Sequence, residues 1–349
     1  MQESPTLNRT PRRCARLTGA LYALVVLYAT ATPALAAPTL DELMADFAFS
    51  KEDVQKVRNG ELVNTAAAAT SDRELAVVMV FLVKTPLEKL VAFLDEDSSF
   101  RNDPHVQSAA EIRGQGTLED FTSIVLQPGG DQEAQHYLSA VPGDTLNLSA
   151  AEIAAFRALN NVGGAGQPKV EEAVRRTLLG RYQSYRSQGL AGMPPYARSK
   201  DKQSKPADDL RRATEAAKNV KKYIPAFYDV LMNYPQGKPA GFKERFFCIR
   251  YAMDGRPNFV LRHRFAMPFE DAYVAIDRDF YVSHDYNDTQ AVAALLPAAD
   301  GTLVLYLNRT TTDQLGGFGA SAKQAIGESM MAKQIRGIFD KARAGLAGQ

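Results

Sequence analysis

The chain has 349 residues, of which 45% are hydrophobic and 23% charged, with 24 Gly, 18 Pro and 2 Cys. This composition is typical of a folded protein and excludes a collagen-like, disordered or disulfide-framework chain. Hydrophobic residues are spread along the chain instead of forming a series of long apolar runs, which excludes a polytopic membrane protein. The formal net charge of +1 gives no general attraction to nucleic acid, so we expect no nucleic-acid partner.

Residues 1–36 have the pattern of a secretory signal peptide. Basic residues precede an apolar run from Leu17 to Leu27, and Ala34-Leu35-Ala36 supplies the small residues of a cleavage site. The apolar run is shorter than the roughly 20 residues that span a bilayer. The sequence therefore predicts cleavage near Ala36, export to the periplasm or the medium, and no integral membrane span after processing.

The mature sequence begins with a helical lead-in, residues 37–60, and continues with strand patterns. Glu61–Ala68 and Glu74–Lys84 are extended segments separated by turn residues, which predicts a β-hairpin. Thr85-Pro86 supplies an N-cap and a proline at the first helical position, so a helix should follow the second strand. His105–Arg113 has the pattern of a further strand.

Residues 118–241 have a different pattern, which is helical and rich in loops. Leu148–Glu152 is typical of a helix start, and Pro168–Ser187 carries apolar residues at near-helical spacing. A further helix is predicted at about Ala207–Asn219. We interpret this segment as an insertion between two parts of a sheet.

The last third of the chain changes to the two-residue period of β-strands. Five extended segments separated by turns predict an antiparallel meander: Lys243–Met253, Asn258–Phe265, Ala272–His284, Thr289–Leu296 and Thr302–Thr310. Gly319–Ala344 then predicts one long helix. Its apolar residues should form a single stripe that covers the sheet: Ile326, Met330, Ile335, Ile338 and Phe339.

Polar residues inside the apolar strands are the candidates for chemistry. Successive side chains of a strand point to opposite faces, so His263 should face inward among phenylalanines, whereas Arg262 and Arg264 should face outward. His284 is a second lone titratable group at the end of an apolar strand, and Tyr306 and Asn308 share a face of the last strand.

The order of elements is similar to that of the START-like (helix-grip) superfamily. The resemblance is carried by Val83–Leu90 at the first strand–helix junction and by the Gly319–Ala344 helix, and Phe280–His284 and Leu305–Thr310 look like stretches of exported bacterial proteins of this kind. The resemblance implies an α+β domain, residues 61–117 and 242–345, interrupted by the insertion 118–241. It also implies a curved antiparallel sheet gripping the C-terminal helix, with an apolar cavity for a lipid or other hydrophobic ligand.

The sequence predicts no cofactor and no metal site. Gly317–Ala322 matches a G-x-G-x-x-A pattern, but only five residues follow Ala344, which leaves no room for the second strand of a dinucleotide-binding unit. The four histidines lack the spacing of a metal site, and no common hydrolase or nucleotide-binding motif occurs. Cys248 is the only cysteine after residue 36, and its apolar strand predicts a buried, inert thiol.

The preferred function is an exported, non-enzymatic binding or carrier protein for a lipid-like molecule. We expect His284, His263, Tyr306 and Asn308 to orient the polar head of the ligand, because ligand pockets place a few polar groups in apolar walls. Two alternatives stay open. The chain is an enzyme of cyclase or hydrolase type on the same fold, with His263 or His284 as acid or base, or it is a protein-docking module that uses the insertion.

Overall fold

The computed structural model describes residues 38–95, 100, 102–143, 145–161, 166–253, 255–315 and 319–347. The predicted signal peptide, residues 1–36, lies outside the described residues, as do Gly317 and Phe318 of the G-x-G-x-x-A pattern. Export and cleavage therefore stay predictions. Among the described residues, no helix combines the length and the apolar character needed to cross a membrane.

Eight strands in the described part of the chain form one open antiparallel sheet with the order β1-β2-β10-β9-β8-β7-β6-β3. The strands are β1 Val63–Ala66, β2 Glu74–Val83, β3 Val106–Ile112, β6 Lys243–Met253, β7 Arg256–Phe269, β8 Ala272–Val282, β9 Asp288–Ala298 and β10 Gly301–Thr311; the short strands β4 Tyr196–Ala197 and β5 Gln203–Ser204 pair separately. The predicted α+β class, the first hairpin and the five-strand meander are thereby confirmed.

The helices flank this sheet on both sides. They are α1 Leu40–Asp46, α2 Lys51–Arg58, α3 Leu87–Asp95, α4 Asp131–Leu138, α5 Ala150–Asn161, α6 Gln167–Gln188, α7 Pro206–Ala216, α8 Lys218–Tyr223, α9 Pro225–Asn233 and α10 Ala320–Ala347. The helix predicted at Ala207–Asn219 is divided into α7 and α8, and Ala217 between them has non-helical backbone angles. The long C-terminal helix is confirmed.

A glycine at the start of β10 allows this strand to approach the end of β2 closely. Gly301 begins β10 with φ of +138°, and a Cβ there would lie 2.1 Å from the carbonyl oxygen of Val83. Only glycine adopts this conformation at such a close approach without strain. From this point β10 pairs with β2 along its whole length, from Thr302 opposite Val83 to Thr311 opposite Glu74.

The two faces of the sheet are both covered by helices, but by different ones. We call the side that carries Leu261, His263 and Phe265 the insertion face, because it packs against α4–α9 in the largest hydrophobic core. We call the side that carries Arg262 and Arg264 the helix face, because it packs against α3 and α10. The predicted alternation is correct, but the prediction that the arginines face outward is wrong.

The C-terminal helix contacts the sheet through a narrower stripe than the sequence predicts. Ala332 is buried with Val77 and Met79 of β2, whereas Ile326 and Met330 are 63% and 68% exposed. Gly327 lies so close to β2 that a Cβ there would be 2.8 Å from the side chain of Leu75. The helix therefore rests near one edge of the sheet and leaves the central strands incompletely covered.

Candidate functional site

A cavity of about 610 Å³ lies between the helix face, α3 and α10. Ligand sites in proteins usually have volumes of about 300–1,000 Å³ and mostly apolar walls. Most of the wall here is apolar and comes from three directions. The sheet, α3 and α10 contribute Phe81, Leu90, Leu94, Ala275, Ala291, Ala293, Leu295, Val304, Met331, Ile335, Ile338 and Phe339.

Two arginines and two aspartates form a polar floor in this cavity. Arg262 lies opposite Asp279, and Arg264 lies opposite Asp277, on the paired strands β7 and β8. Arg262 donates to both carboxylate oxygens of Asp279 at 2.6 and 3.0 Å, and Arg264 donates to both oxygens of Asp277 at 2.7 Å. Such bidentate pairs are geometrically specific, and the four charges cancel.

The charged states of this floor stabilise one another. Burial by itself would raise the pKa of Asp277, but the Arg264 guanidinium lowers it below its ordinary value. Burial would likewise lower the pKa of Arg262, but Asp279 raises it above its ordinary value. Asp277 and Arg262 are therefore each stabilised in the charged form by a partner across the strand pair.

A second set of polar groups follows β10 along the same face. The amide nitrogen of Asn308 donates to the Tyr306 hydroxyl at 3.2 Å, and the Thr310 hydroxyl donates to the Asn308 amide oxygen at 2.8 Å. The Tyr306 ring packs edge-on against Phe339 of α10, with ring centroids 5.0 Å apart. The structure thus places Tyr306 and Asn308, both predicted as site residues, in the cavity wall.

His263, the second predicted histidine, lies on the insertion face and does not line this cavity. Its ring stacks on Phe246 with centroids 4.0 Å apart, and the Tyr185 hydroxyl lies 3.2 Å from Nδ1. Complete burial lowers the pKa of His263 to about 4, although Glu244 lies 3.4 Å from Nε2. These contacts are those of a neutral core histidine.

His284, the first predicted histidine, also lies outside the wall of the cavity beneath α10. Its Nε2 lies 3.1 Å from the carbonyl oxygen of Pro257, and its Nδ1 lies 2.8 Å from a carboxylate oxygen of Asp285. Burial would raise the pKa of Asp285, but His284 and Asn258 lower it below its ordinary value. His284 therefore holds the loop after β8 onto the start of β7.

Sequence reasoning missed the two arginine–aspartate pairs, although the sequence contains a signal for them. Arg262 and Arg264 are two residues apart on one strand, and Asp277 and Asp279 are two residues apart on the next strand. This spacing places like charges on one face and opposite charges across the strand pair. His105 and Tyr251 in the same cavity wall were also missed.

The chemistry of the remaining candidates is limited by their surroundings. Within the described ranges, no group of three or more His, Cys, Asp or Glu side chains converges to hold a metal ion. Cys248 is buried on the insertion face, and burial raises the pKa of its thiol. A thiol in that setting is a poor nucleophile.

Comparison of the chain with protein-family models, with curated protein sequences and with solved structures finds no match.

Proposed function

We propose that the protein is a non-enzymatic binding or carrier protein for a hydrophobic small molecule, which lies between the helix face and α10. The observation that carries the proposal is the cavity of about 610 Å³, whose walls are mostly apolar and whose polar groups include the charged pairs, Tyr306 and Asn308 on the sheet. This division suits an amphiphile, because apolar walls hold its body while a few polar groups orient its head. The resemblance to START-like proteins supports a helix-grip arrangement in which α10 closes over the ligand.

The pairing of the floor favours an uncharged ligand. Each arginine of the floor is already neutralised by an aspartate in bidentate contact, so an anionic head that paired with Arg262 or Arg264 would have to displace Asp279 or Asp277. Breaking a desolvated ion pair on one side is costly, on the order of 3–5 kcal/mol. Hydroxyl or carbonyl groups would instead hydrogen-bond with Tyr306 and Asn308 without disturbing the ion pairs. We therefore propose a neutral lipid-like molecule.

The proposal also includes export. The signal-peptide pattern of residues 1–36 supports a periplasmic or secreted location after cleavage near Ala36. A carrier in that compartment would shield an apolar molecule from water. Cys248 is the only cysteine of such a mature chain, so its stability would rest on the core and not on a disulfide.

Binding is preferred over the two alternatives because of where the side chains lie. The enzyme alternative requires His263 or His284 in the pocket, yet both histidines are buried in protein contacts away from the cavity beneath α10. The docking alternative requires a free surface on the insertion, but the apolar side chains of α6 and α9, such as Tyr185 and Phe227, are buried in the core against the sheet.

The test is a substitution on the sheet that fills the cavity with a larger side chain. Ala293 of β9 is half-buried, lines the cavity and lies between Ala275 and Tyr306 on the neighbouring strands. Ala293→Phe should weaken binding of the neutral fluorescent probe N-phenyl-1-naphthylamine by about tenfold or more, equivalent to about 1.4 kcal/mol. Ala325→Phe, the same change at an exposed position of α10, is the matched control and should bind the probe like wild type.

Native mass spectrometry provides an independent readout. Wild-type protein purified from cells should carry a neutral lipid-like mass that Ala293→Phe loses and Ala325→Phe retains. A folded Ala293→Phe variant with wild-type probe affinity and wild-type bound mass would overturn the proposal. Thermal melting of both variants establishes that they are folded before the comparison is made.

A further inference from the structure

The insertion face contains a second cavity, of about 590 Å³, separated from the first by the sheet itself. Its floor is formed by β8, β9 and β10, and its roof by α1, α8 and the loop between β1 and β2. Apolar residues dominate the wall: Leu43, Phe47, Val220, Ile224, Val274, Val292, Ala294, Leu296, Leu305 and Leu307. Every second residue of β10 from Leu305 to Arg309 lines it, a span of about 13 Å at strand spacing.

Arg309 provides the polar end of this cavity. The residue is only 6% exposed, and its Nη1 donates to Glu74 at 2.9 Å and to the carbonyl oxygen of Ala68 at 3.1 Å. Its Nε makes no hydrogen bond within the described part of the chain. A buried donor without a partner is unfavourable, so an acceptor that reaches the guanidinium would gain binding free energy.

Glu74 determines which acceptor fits best. The carboxylate of Glu74 is 2% exposed and pairs with Arg309, so the positive charge is already compensated. It also accepts a hydrogen bond of 2.5 Å from the backbone of Thr70, which holds the loop that closes this end of the cavity. The Arg309–Glu74 pair is thus neutral overall and offers an N–H donor. This suits a carbonyl-type oxygen, which accepts a hydrogen bond, and disfavours a cation such as an ammonium group, which only donates.

We propose that this second cavity binds the acyl chain of a molecule whose carbonyl or carboxyl oxygen accepts a hydrogen bond from Arg309. The chain lies along β10 over Leu305 and Leu307, and the head lies beside the β1–β2 loop. A fatty acid and a fatty-acyl ester share this chemistry. The site is independent of the cavity beneath α10, because the lining side chains of the two cavities alternate along β9 and β10.

A substitution at Ala294 provides the test. Ala294 lines the second cavity and lies between Val274 and Leu305 on the neighbouring strands. We would titrate the purified protein with dodecanoic acid, methyl dodecanoate and dodecylamine by calorimetry. Ala294→Phe should weaken binding of the acid and the ester to this cavity by about tenfold or more, and the control Ala325→Phe, at an exposed position of α10, should leave it unchanged. Dodecylamine should bind at least about tenfold more weakly than the acid to wild type.

The relative affinities of the acid and the ester show whether the protein recognises a carbonyl oxygen alone or a whole carboxyl group. Equal affinity indicates recognition of the carbonyl alone, and tighter binding of the acid indicates recognition of the carboxyl group as well. Arg309→Lys keeps a positive charge beside Glu74 but removes the Nε donor, and it should weaken binding of both probes. If the acid binds Ala294→Phe like wild type, or if dodecylamine binds as tightly as the acid, the proposal is wrong.

A photolabelling experiment covers the case in which Ala294→Phe does not fold. Wild-type protein is irradiated with dodecanoic acid that carries a diazirine on its tail, and the labelled peptides are mapped by mass spectrometry. Label on Leu305, Leu307 or Val220 supports the second cavity. Label on Met331, Ile335 or Phe339 instead places the acyl chain beneath α10, which overturns this inference and leaves the first site standing.

Discussion

The two faces of one sheet are covered in different ways. Over β6–β8 the insertion face is packed with aromatic rings: Phe280 lies parallel to Tyr185 with centroids 4.0 Å apart, and His263 is enclosed by Phe246 and Phe265. On the other side of the same strands, the helix face carries paired charges beneath a cavity. Along β7 and β8, side chains therefore alternate between a dense core on the insertion face and a cavity of ligand size on the helix face.

The difference follows from the shape of the covering elements. The insertion supplies six helices in the described residues, and over β6–β8 their aromatic side chains pack densely against the sheet. On the helix face, α10 rests mainly on β2, and α3 rests on β9 and β10. A single helix is only about 10 Å wide, so it cannot cover eight strands. The strands that it leaves uncovered are those that carry the polar floor.

The largest expected effect is the loss of an aromatic ring from the insertion face. Phe280→Ala removes a fully packed ring that stacks on Tyr185, and it should lower the free energy of unfolding by about 3–5 kcal/mol. Urea denaturation measures the change, and Ile326→Ala, at an exposed position of α10, should leave the midpoint unchanged. A loss below about 1 kcal/mol would mean that this face is not densely packed.

The second effect is a pH dependence that belongs to the insertion face. Folding lowers the pKa of His263 from 6.5 to about 4, so between these values the unfolded chain binds a proton that the folded chain does not. Stability should therefore fall as the pH drops from 6.5 to 4, by at most about 3 kcal/mol from this group.

Melting temperatures measured across this pH range check the prediction. His263→Phe should flatten the profile relative to wild type, because the variant has no group to protonate at this position. Ile326→Ala, at an exposed position of α10, leaves His263 in place, so this control should keep the wild-type slope. Profiles of equal slope for wild type and His263→Phe would contradict the burial argument.

A smaller loss is expected on the helix face. Ile335→Ala truncates a half-buried side chain of α10 that forms part of the cavity wall. The free energy of unfolding should therefore fall by about 1–2 kcal/mol, which is less than for a fully buried position. Thermal melting measures the shift. An Ile335→Ala loss as large as that of Phe280→Ala would remove the contrast between the two faces.

Tyr306→Phe is expected to have the smallest effect on stability, but it should weaken ligand binding. The change removes a hydroxyl that accepts a hydrogen bond from Asn308 and leaves the ring against Phe339. Stability should change by less than about 1 kcal/mol. Retention of the bound neutral lipid, measured by native mass spectrometry, should decrease. Wild-type retention by a folded Tyr306→Phe variant would exclude this hydroxyl from the ligand site.

The sequence pattern predicts the strands better than it predicts the site. Period-two segments and turn residues correctly locate the meander, because the alternation of side chains is a local property of the backbone. The same alternation correctly separates His263 from Arg262 and Arg264. It does not indicate which face a helix covers, and the outward assignment of the arginines is wrong for that reason. The ligand-binding roles of His284, His263, Tyr306 and Asn308 stay predictions, and of these four residues Tyr306 and Asn308 line the cavity beneath α10.

The sequence by itself thus determined the α+β class, the antiparallel strands and the long C-terminal helix, since each depends on local periodicity and turn chemistry. Only the tertiary structure decided how α10 is rotated, which exposes Ile326 and Met330, and where the insertion packs. Both depend on contacts between residues far apart in the chain. The two cavities exist because helices of finite width cover the faces of a wide sheet incompletely, and no local pattern encodes that mismatch.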